Sequence, residues 1–148
     1  MNTSLIIIGW REWLTLPDLG VNHIKAKIDT GAKTSALHAS SINIIKEGKN
    51  NYLHFQLFPV EKNNQVVISC KTDDILGQKL ITNSSGHKEL RYTIKTNIIL
   101  GNRCWPIEIT LTNRDKMGFR MLLGRSALQN TIINPNQSFL ASQKGEVQ

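Results

Sequence analysis

A mostly β fold, a barrel or sandwich in one domain spanning residues 1–148, is what the sequence predicts. Three observations lead there. Most apolar segments are short, β-branched and bounded by turn residues. Two pairs of such segments flank short polar turns, the pattern of hairpins. Helical periodicity surfaces only at Ser126-Ala127-Leu128-Gln129-Asn130, which predicts one short C-terminal helix. The strand count and turn spacing favour this class over an alternating α/β fold.

The elements follow in order. His23–Ile28 alternates strictly, so Ile24, Ala26 and Ile28 should face a core while Lys25 and Lys27 face water. Tyr52–Phe58 and Val66–Cys70 flank Glu61-Lys62-Asn63-Asn64 and should pair. Arg91–Leu100 and Cys104–Thr112 flank Gly101-Asn102, a second hairpin signal. Phe119–Leu123 is a further strand, stopped by Gly124.

Composition narrows the function classes. The chain has 148 residues, 40% hydrophobic and 20% charged, enough for a single core. No apolar run approaches the roughly 18 residues of a membrane span, and Met1–Ser4 lacks a basic leader, so a mature cytoplasmic protein is expected. Cys70 and Cys104 form neither a disulfide framework nor a C-x-x-C pair. Bilobal enzymes, membrane proteins and secreted miniproteins are excluded. Lys and Arg number 18 against 11 Asp and Glu, a net charge of +7, and such a surface attracts polyanions: nucleic acid, an anionic membrane or an acidic peptide. The basic residues are scattered and carry no nucleic-acid motif, so nucleic acid is the weakest of these partners.

The chemistry-bearing stretch is Ile28-Asp29-Thr30-Gly31-Ala32, a half-buried strand running into a carboxylate and a glycine turn. A second signature, Met121-Leu122-Leu123-Gly124-Arg125, precedes the expected helix. No H-E-x-x-H occurs, and His23, His38, His54 and His87 show no ligand spacing. Gly31-Ala32-Lys33-Thr34 lacks the spacer and the glycine of a phosphate-binding loop. Neither zinc nor ATP is therefore expected as a cofactor. His38 reads as a hydrogen-bonded structural histidine, and Trp10 and Trp13 as core or dimer contacts.

The two signatures together resemble the retropepsin-type aspartic peptidases. The closer resemblance is to a bacterial family historically labelled ATP-dependent zinc proteases and now grouped with the retropepsin-like aspartic endopeptidases. It rests on Gly9-Trp10-Arg11-Glu12-Trp13 with Leu16-Pro17, on the block Ile24 to Ala39, on Ser85-Gly86 with Arg91, and on Leu111 to Met117 leading to Leu122-Leu123-Gly124-Arg125. The resemblance implies a closed acid-protease barrel with one lobe per chain. Asp29, Thr30 and Gly31 would be the catalytic loop, supported by Ala32, Leu123, Gly124 and Arg125. Such a peptidase needs two carboxylates sharing a proton, and the chain has one Asp-Thr-Gly. Asp18, Asp73, Asp74 and Asp115 lack that setting. Activity would then require a homodimer.

Further roles come from the same resemblance. Thr30 would brace the paired loops, and Arg125 would pair with a carboxylate, Glu12 or Asp18. A flap would come from the Ser84–His87 turn or the Asn63-Asn64 hairpin, with Ser85-Gly86 favoured. From the basic excess alone, Lys33, Lys88, Arg91, Arg114 and Arg120 would line a cleft for acidic segments. The resemblance adds a polyglutamylated protein as substrate and a functional link to an ATP-grasp ligase. Lys33-Thr34-Ser35 replaces the acidic residues that follow this loop in viral retropepsins, so viral specificity does not carry over. The competing expectation is a non-catalytic dimeric module that holds acidic tails without cutting them.

Overall fold

The computed structural model describes residues 4–83, 85–114 and 118–142. Eleven strands are present: β1 (Ile6–Ile8), β2 (Arg11–Leu16), β3 (Val21–Asp29), β4 (Ser35–Glu47), β5 (Asn50–Leu57), β6 (Ile68–Thr72), β7 (Ile75–Thr82), β8 (Lys88–Leu100), β9 (Arg103–Thr112), β10 (Met121–Gly124) and β11 (Thr131–Ile133). Six of them close into a ring. β10 runs parallel to β3, β3 pairs with β2, β2 with β8, β8 with β9, β9 with β4, and β4 returns to β10 through Met121–Leu37 and Leu122–Ala36. Closure removes sheet edges from the ring. Outside it, β5 and β6 extend the sheet from the far half of β4, β7 pairs with the first half of β8, and β1 forms a separate parallel ribbon with β11.

Inside the ring the alternation predicted for β3 holds, with Ile24, Ala26 and Ile28 buried. They meet Leu14, Leu37, Ile94, Ile98, Ile109, Leu111, Met121 and Leu123 in the core, each fully buried Leu or Ile contributing roughly 1.5–3 kcal/mol. Both predicted hairpins form, as β5–β6 and β8–β9, the latter turning at Gly101 with φ +61°. The lysines of β3 diverge from the expectation. Lys27 is exposed, but Lys25 is half-buried, ion-paired with Glu61 at 3.0 Å and seated over the Trp13 and Phe119 rings.

The expected C-terminal helix is a single 3-10 turn, Arg125–Ala127, closed by the Leu128 N–H on the Arg125 carbonyl at 3.0 Å. It stops because Asn130 takes φ +59° and the β-branched run Thr131–Ile133 pairs with β1 as β11. Residues 134–142 then run back along β2. Glu12, fully buried, accepts from the Gly9 N–H (2.6 Å), the Leu140 N–H (2.9 Å), the Ala141 N–H (3.2 Å) and the Ser142 hydroxyl (2.7 Å). Trp10 meets Phe119 edge-on and Trp13 stacks on Phe139, so both tryptophans bind this returning segment and the β10 approach to the barrel wall.

Candidate active site

Asp29 ends β3 beside Gly124 of β10. Its carboxylate Oδ1 accepts from the Gly31 N–H at 3.0 Å, and its carbonyl accepts from the Ala32 N–H at 3.2 Å, forming a tight turn with Thr30 and Gly31 exposed. Three carbonyls of the loop are held from the β10 end. Thr30 O accepts from the Arg125 guanidinium (2.8 Å), Ala32 O from the Arg125 N–H (2.8 Å) and Lys33 O from the Ser126 N–H (3.0 Å). The close approach requires glycine at 124, because a Cβ there would lie 2.7 Å from the Thr34 carbonyl carbon and 2.8 Å from its oxygen. Leu123 is fully buried beneath the loop.

The arrangement corrects one predicted contact. Neither Glu12 nor Asp18 is the partner of Arg125, whose guanidinium instead grips the Thr30 carbonyl. Glu12 is consumed by the returning segment, and Asp18 accepts from the backbone N–H and side-chain amide of Asn97 at 3.2 and 3.0 Å. Two supporting residues had no assigned role. Ser35, fully buried, accepts the Gly124 N–H on its hydroxyl at 3.0 Å, and its carbonyl accepts the Thr110 hydroxyl at 3.0 Å. The available signal was a hydroxyl residue where the loop re-enters an apolar strand.

Arg91 reaches the Thr110 hydroxyl at 3.5 Å and lies 3.3 Å from Glu89, which also accepts from the Thr112 hydroxyl. Arg114 is buried, its Nε donating to the Phe119 carbonyl at 3.1 Å. Its pKa is lowered, first by burial and then by the Arg91 charge, while Asp29 acts in the opposite sense. Arg91, Arg114 and Asp29 therefore share one electrostatic neighbourhood, and Lys33 stands exposed on the loop itself. A polar groove of about 400 Å³ opens beside Arg91, lined by Ser40, Ser41, Glu89, Tyr92 and Thr112 among others. Arg120 does not join this group. It is buried and donates to the Asn64 amide oxygen at 2.8 Å, because its guanidinium turns toward the β5–β6 connection. Lys88 is exposed at the start of β8.

His38 is buried and accepts the Arg114 N–H on Nδ1 at 2.8 Å, so that nitrogen carries no proton and the ring has a structural bond. Ser85 and Gly86 occupy the exposed turn between β7 and β8. The Asn63-Asn64 alternative is tied to the barrel through Arg120. Ser84 and Asp115 to Met117, part of the predicted flap turn and of the resembling stretch, lie outside the described residues. Among the described residues, no three His, Cys, Asp or Glu side chains cluster, and no helix is long and apolar enough to cross a membrane.

Comparison with known proteins adds to this geometry. A family model named RimB-like, described as the retropepsin-like aspartic endopeptidase RimB, matches residues 7–144. A protein of Shewanella pealeana named "Probable alpha-L-glutamate ligase" is 40% identical over 149 residues, covering 100% of this chain and 32% of its own length. One of the same name from Parasynechococcus marenigrum is 44% identical over 131 residues, covering 88% of this chain and 28% of its own length. The chain thus spans about a third of the length of the curated relatives it matches. The crystal structure of a Legionella pneumophila protein of unknown function superposes with a TM-score of 0.74 at 31% identity, covering 93% of this chain and 99% of that one.

Proposed function

Given that the chain belongs to the RimB-like family of retropepsin-like aspartic endopeptidases, we propose that it is a peptidase acting as a homodimer, with Asp29 from each copy forming one catalytic pair. The observation that carries this reading is the Asp29 loop. It presents its carboxylate at a strand end, while three of its carbonyls are held by Arg125 and Ser126. One carboxylate is half of the machinery. In the pair, the ionised Asp29 takes a proton from the attacking water as its oxygen bonds to the scissile carbonyl carbon. The protonated Asp29 of the second copy gives its proton to the carbonyl oxygen. Collapse of the tetrahedral intermediate expels the amine, which is protonated on leaving. Thr30, exposed beside Asp29, braces the two loops against each other, and the Ser85-Gly86 turn serves as the flap.

Substrate preference follows from charge. Arg114 lies within electrostatic reach of Asp29 and of Arg91, and Lys33 stands exposed on the Asp29 loop, which supports glutamate-rich segments as the favoured class. The relatives named as alpha-L-glutamate ligases, of which this chain matches about a third, fit a peptidase working on glutamyl chains that an ATP-grasp partner adds, in the cytoplasm. Any ATP requirement then belongs to that partner.

The test is hydrolysis of a polyglutamylated peptide by the purified protein, followed by mass spectrometry, beside a neutral apolar peptide. Release of glutamates that resists chelators and disappears in Asp29→Asn supports the reading. Activity should fall as pH rises through the pair's upper apparent pKa, since the shared proton is then lost. Tight binding without cleavage would make the chain a non-catalytic module for acidic tails. Loss of activity on chelation with zinc rescue would overturn the aspartic mechanism.

A further inference from the structure

The polar groove of about 400 Å³ beside Arg91 opens where three strands part. β8 pairs with β9 only from Thr93 onward, and β4 pairs with β9 no further than His38, opposite Thr112. Past that point β4 takes φ +53° at Ser41 and shifts register against β5, while residues 88–92 of β8 pair with β7 alone. Glu89 and Arg91 of β8, Thr112 of β9 and Ser40 of β4 are left to line the gap. A chain of hydrogen bonds joins it to the Asp29 loop. Arg91 Nη1 donates to the Thr110 hydroxyl, and that hydroxyl donates to the Ser35 carbonyl at 3.0 Å. The Ser35 hydroxyl in turn accepts from the N–H of Gly124, the β10 neighbour of Asp29.

Arg91 is thinly satisfied for so enclosed a cation. Its side chain is only 13% exposed, and a guanidinium carries five N–H donors. Among the described residues it makes one hydrogen bond, the 3.5 Å contact from Nη1 to Thr110, long beside the usual value of about 2.9–3.0 Å. Nε is closed to solvent and meets Glu89 Oε1 at 3.3 Å without the geometry of a hydrogen bond. Nη2 has no hydrogen-bond partner among the described residues and is not closed off as Nε is. A cation held this way calls for an acceptor anion. The chain itself supplies one, incompletely. Glu89 Oε1 takes a 2.6 Å bond from the Thr112 hydroxyl, which draws that carboxylate to the Nε side and leaves the Nη1–Nη2 edge to a ligand. We infer that this edge is a subsite for one glutamyl carboxylate of the substrate, held two-pronged by Arg91, with Glu89 as the internal carboxylate that competes for the same guanidinium. The inference rests on the peptidase reading above and names where its acidic substrate is gripped. The planar fork matches a carboxylate, and Glu89, 46% exposed, can turn to water as the ligand arrives. A glutamine brings no charge with which to compete, so the pair discriminates against amides.

The experiment is calorimetric titration of the full chain carrying Asp29→Asn, which leaves the peptide uncut, with acetyl-Ala-Glu-Glu-Glu-Glu and its all-glutamine counterpart. The glutamyl peptide should bind about tenfold more tightly or better. Adding Arg91→Gln should abolish that preference, and Arg91→Lys, which keeps the charge and loses the fork, should remove most of it. Glu89→Gln should tighten glutamyl binding about threefold or more. It is a near-isosteric change at an exposed position, so it tests the subsite even where an Arg91 variant proves unstable in a thermal melt. The C-terminal amide of the glutamyl peptide identifies the carboxylate: equal binding assigns a side chain, and weakened binding that no longer depends on Arg91 assigns the terminus. Glutamyl binding indifferent to Arg91→Gln, or unchanged or weakened by Glu89→Gln, would overturn the subsite, even if the unchanged protein cuts glutamyl peptides. Binding that follows Arg91 and Glu89 in a chain that never cuts would instead sink the peptidase reading and leave the subsite standing.

Discussion

Two short turns with a glycine near the tip, Asp29–Lys33 and Asn83–His87, are held in opposite ways. The first is bonded to a segment some 95 residues later in the chain, through Arg125, Ser126 and the contact with Gly124. The second, in its described residues, is bonded to itself. Asn83 Oδ1 accepts from the Ser85 N–H, the Ser85 hydroxyl and the His87 N–H, and the backbone bonds join Asn83 to Gly86 and His87. Flanking β7 and β8 expose Leu80 and Leu90 directly opposite each other. A loop bonded to distant strands moves only if the barrel moves, whereas a locally bonded hairpin opens at little cost to the rest. That contrast is what the proposed flap, moving over a fixed Asp29, would require.

The largest expected effect breaks the chemistry and spares the scaffold. Asp29→Asn keeps an acceptor oxygen for the Gly31 N–H but cannot take a proton from water. Hydrolysis of a glutamyl peptide should become undetectable, while the thermal midpoint is retained or raised, because the proposed dimer no longer brings together two carboxyl groups that cannot both ionise without repulsion. Full activity in this variant would remove Asp29 from the mechanism.

Next comes the platform. Gly124→Ala places a methyl against backbone atoms of Thr34 and Ala32, which cannot rotate away as a side chain could. A loss of roughly 1–3 kcal/mol in urea denaturation is expected, together with reduced kcat as the Asp29 loop is displaced. A stability equal to that of the unchanged protein would show that the loop is as yielding as the Asn83 turn, and the contrast would fail.

Arg125→Ala acts on the same loop more gently. The side chain is exposed and makes one bond to the Thr30 carbonyl, so stability should fall by about 1 kcal/mol or less. Turnover should fall more than substrate affinity, since what is lost is the placement of Asp29. An unchanged kcat with a raised KM would make Arg125 a substrate contact instead.

How much of this was legible in the sequence depends on where each residue's partners lie. The alternation of β3 and both predicted hairpins were readable because a period of two and a turn are local signals. β4 was not, since Ser35–Ala39 is buried on both faces between β9 and β10 and so shows no alternation. The Asp-Thr-Gly turn and the packing of Leu123-Gly124-Arg125 beneath it were legible through family resemblance. The contacts of the charged residues were not. Glu12 is satisfied by backbone N–H groups 128 and 129 residues away, and Arg125 grips a carbonyl. Reasoning from charge looks for an opposite charge, and at these two residues a backbone oxygen or N–H groups take that place.

The smallest expected effect tests the locally held turn. Asn83→Ala removes the oxygen that collects three donors in the turn, yet all three are exposed and can turn to water. Global stability should change by no more than about 0.5 kcal/mol. Amide exchange at Gly86 and His87 should accelerate, with no change at Ile28 or Leu123 in the barrel. The two turns share no bonding partner, so Asn83→Ala and Gly124→Ala should add within about 0.3–0.5 kcal/mol. Gly124→Ala and Arg125→Ala both act on one loop and should depart from additivity. If the Asn83 change instead altered the cost of Gly124→Ala by 1 kcal/mol or more, the two turns would be coupled, and the proposed flap could not move independently of Asp29.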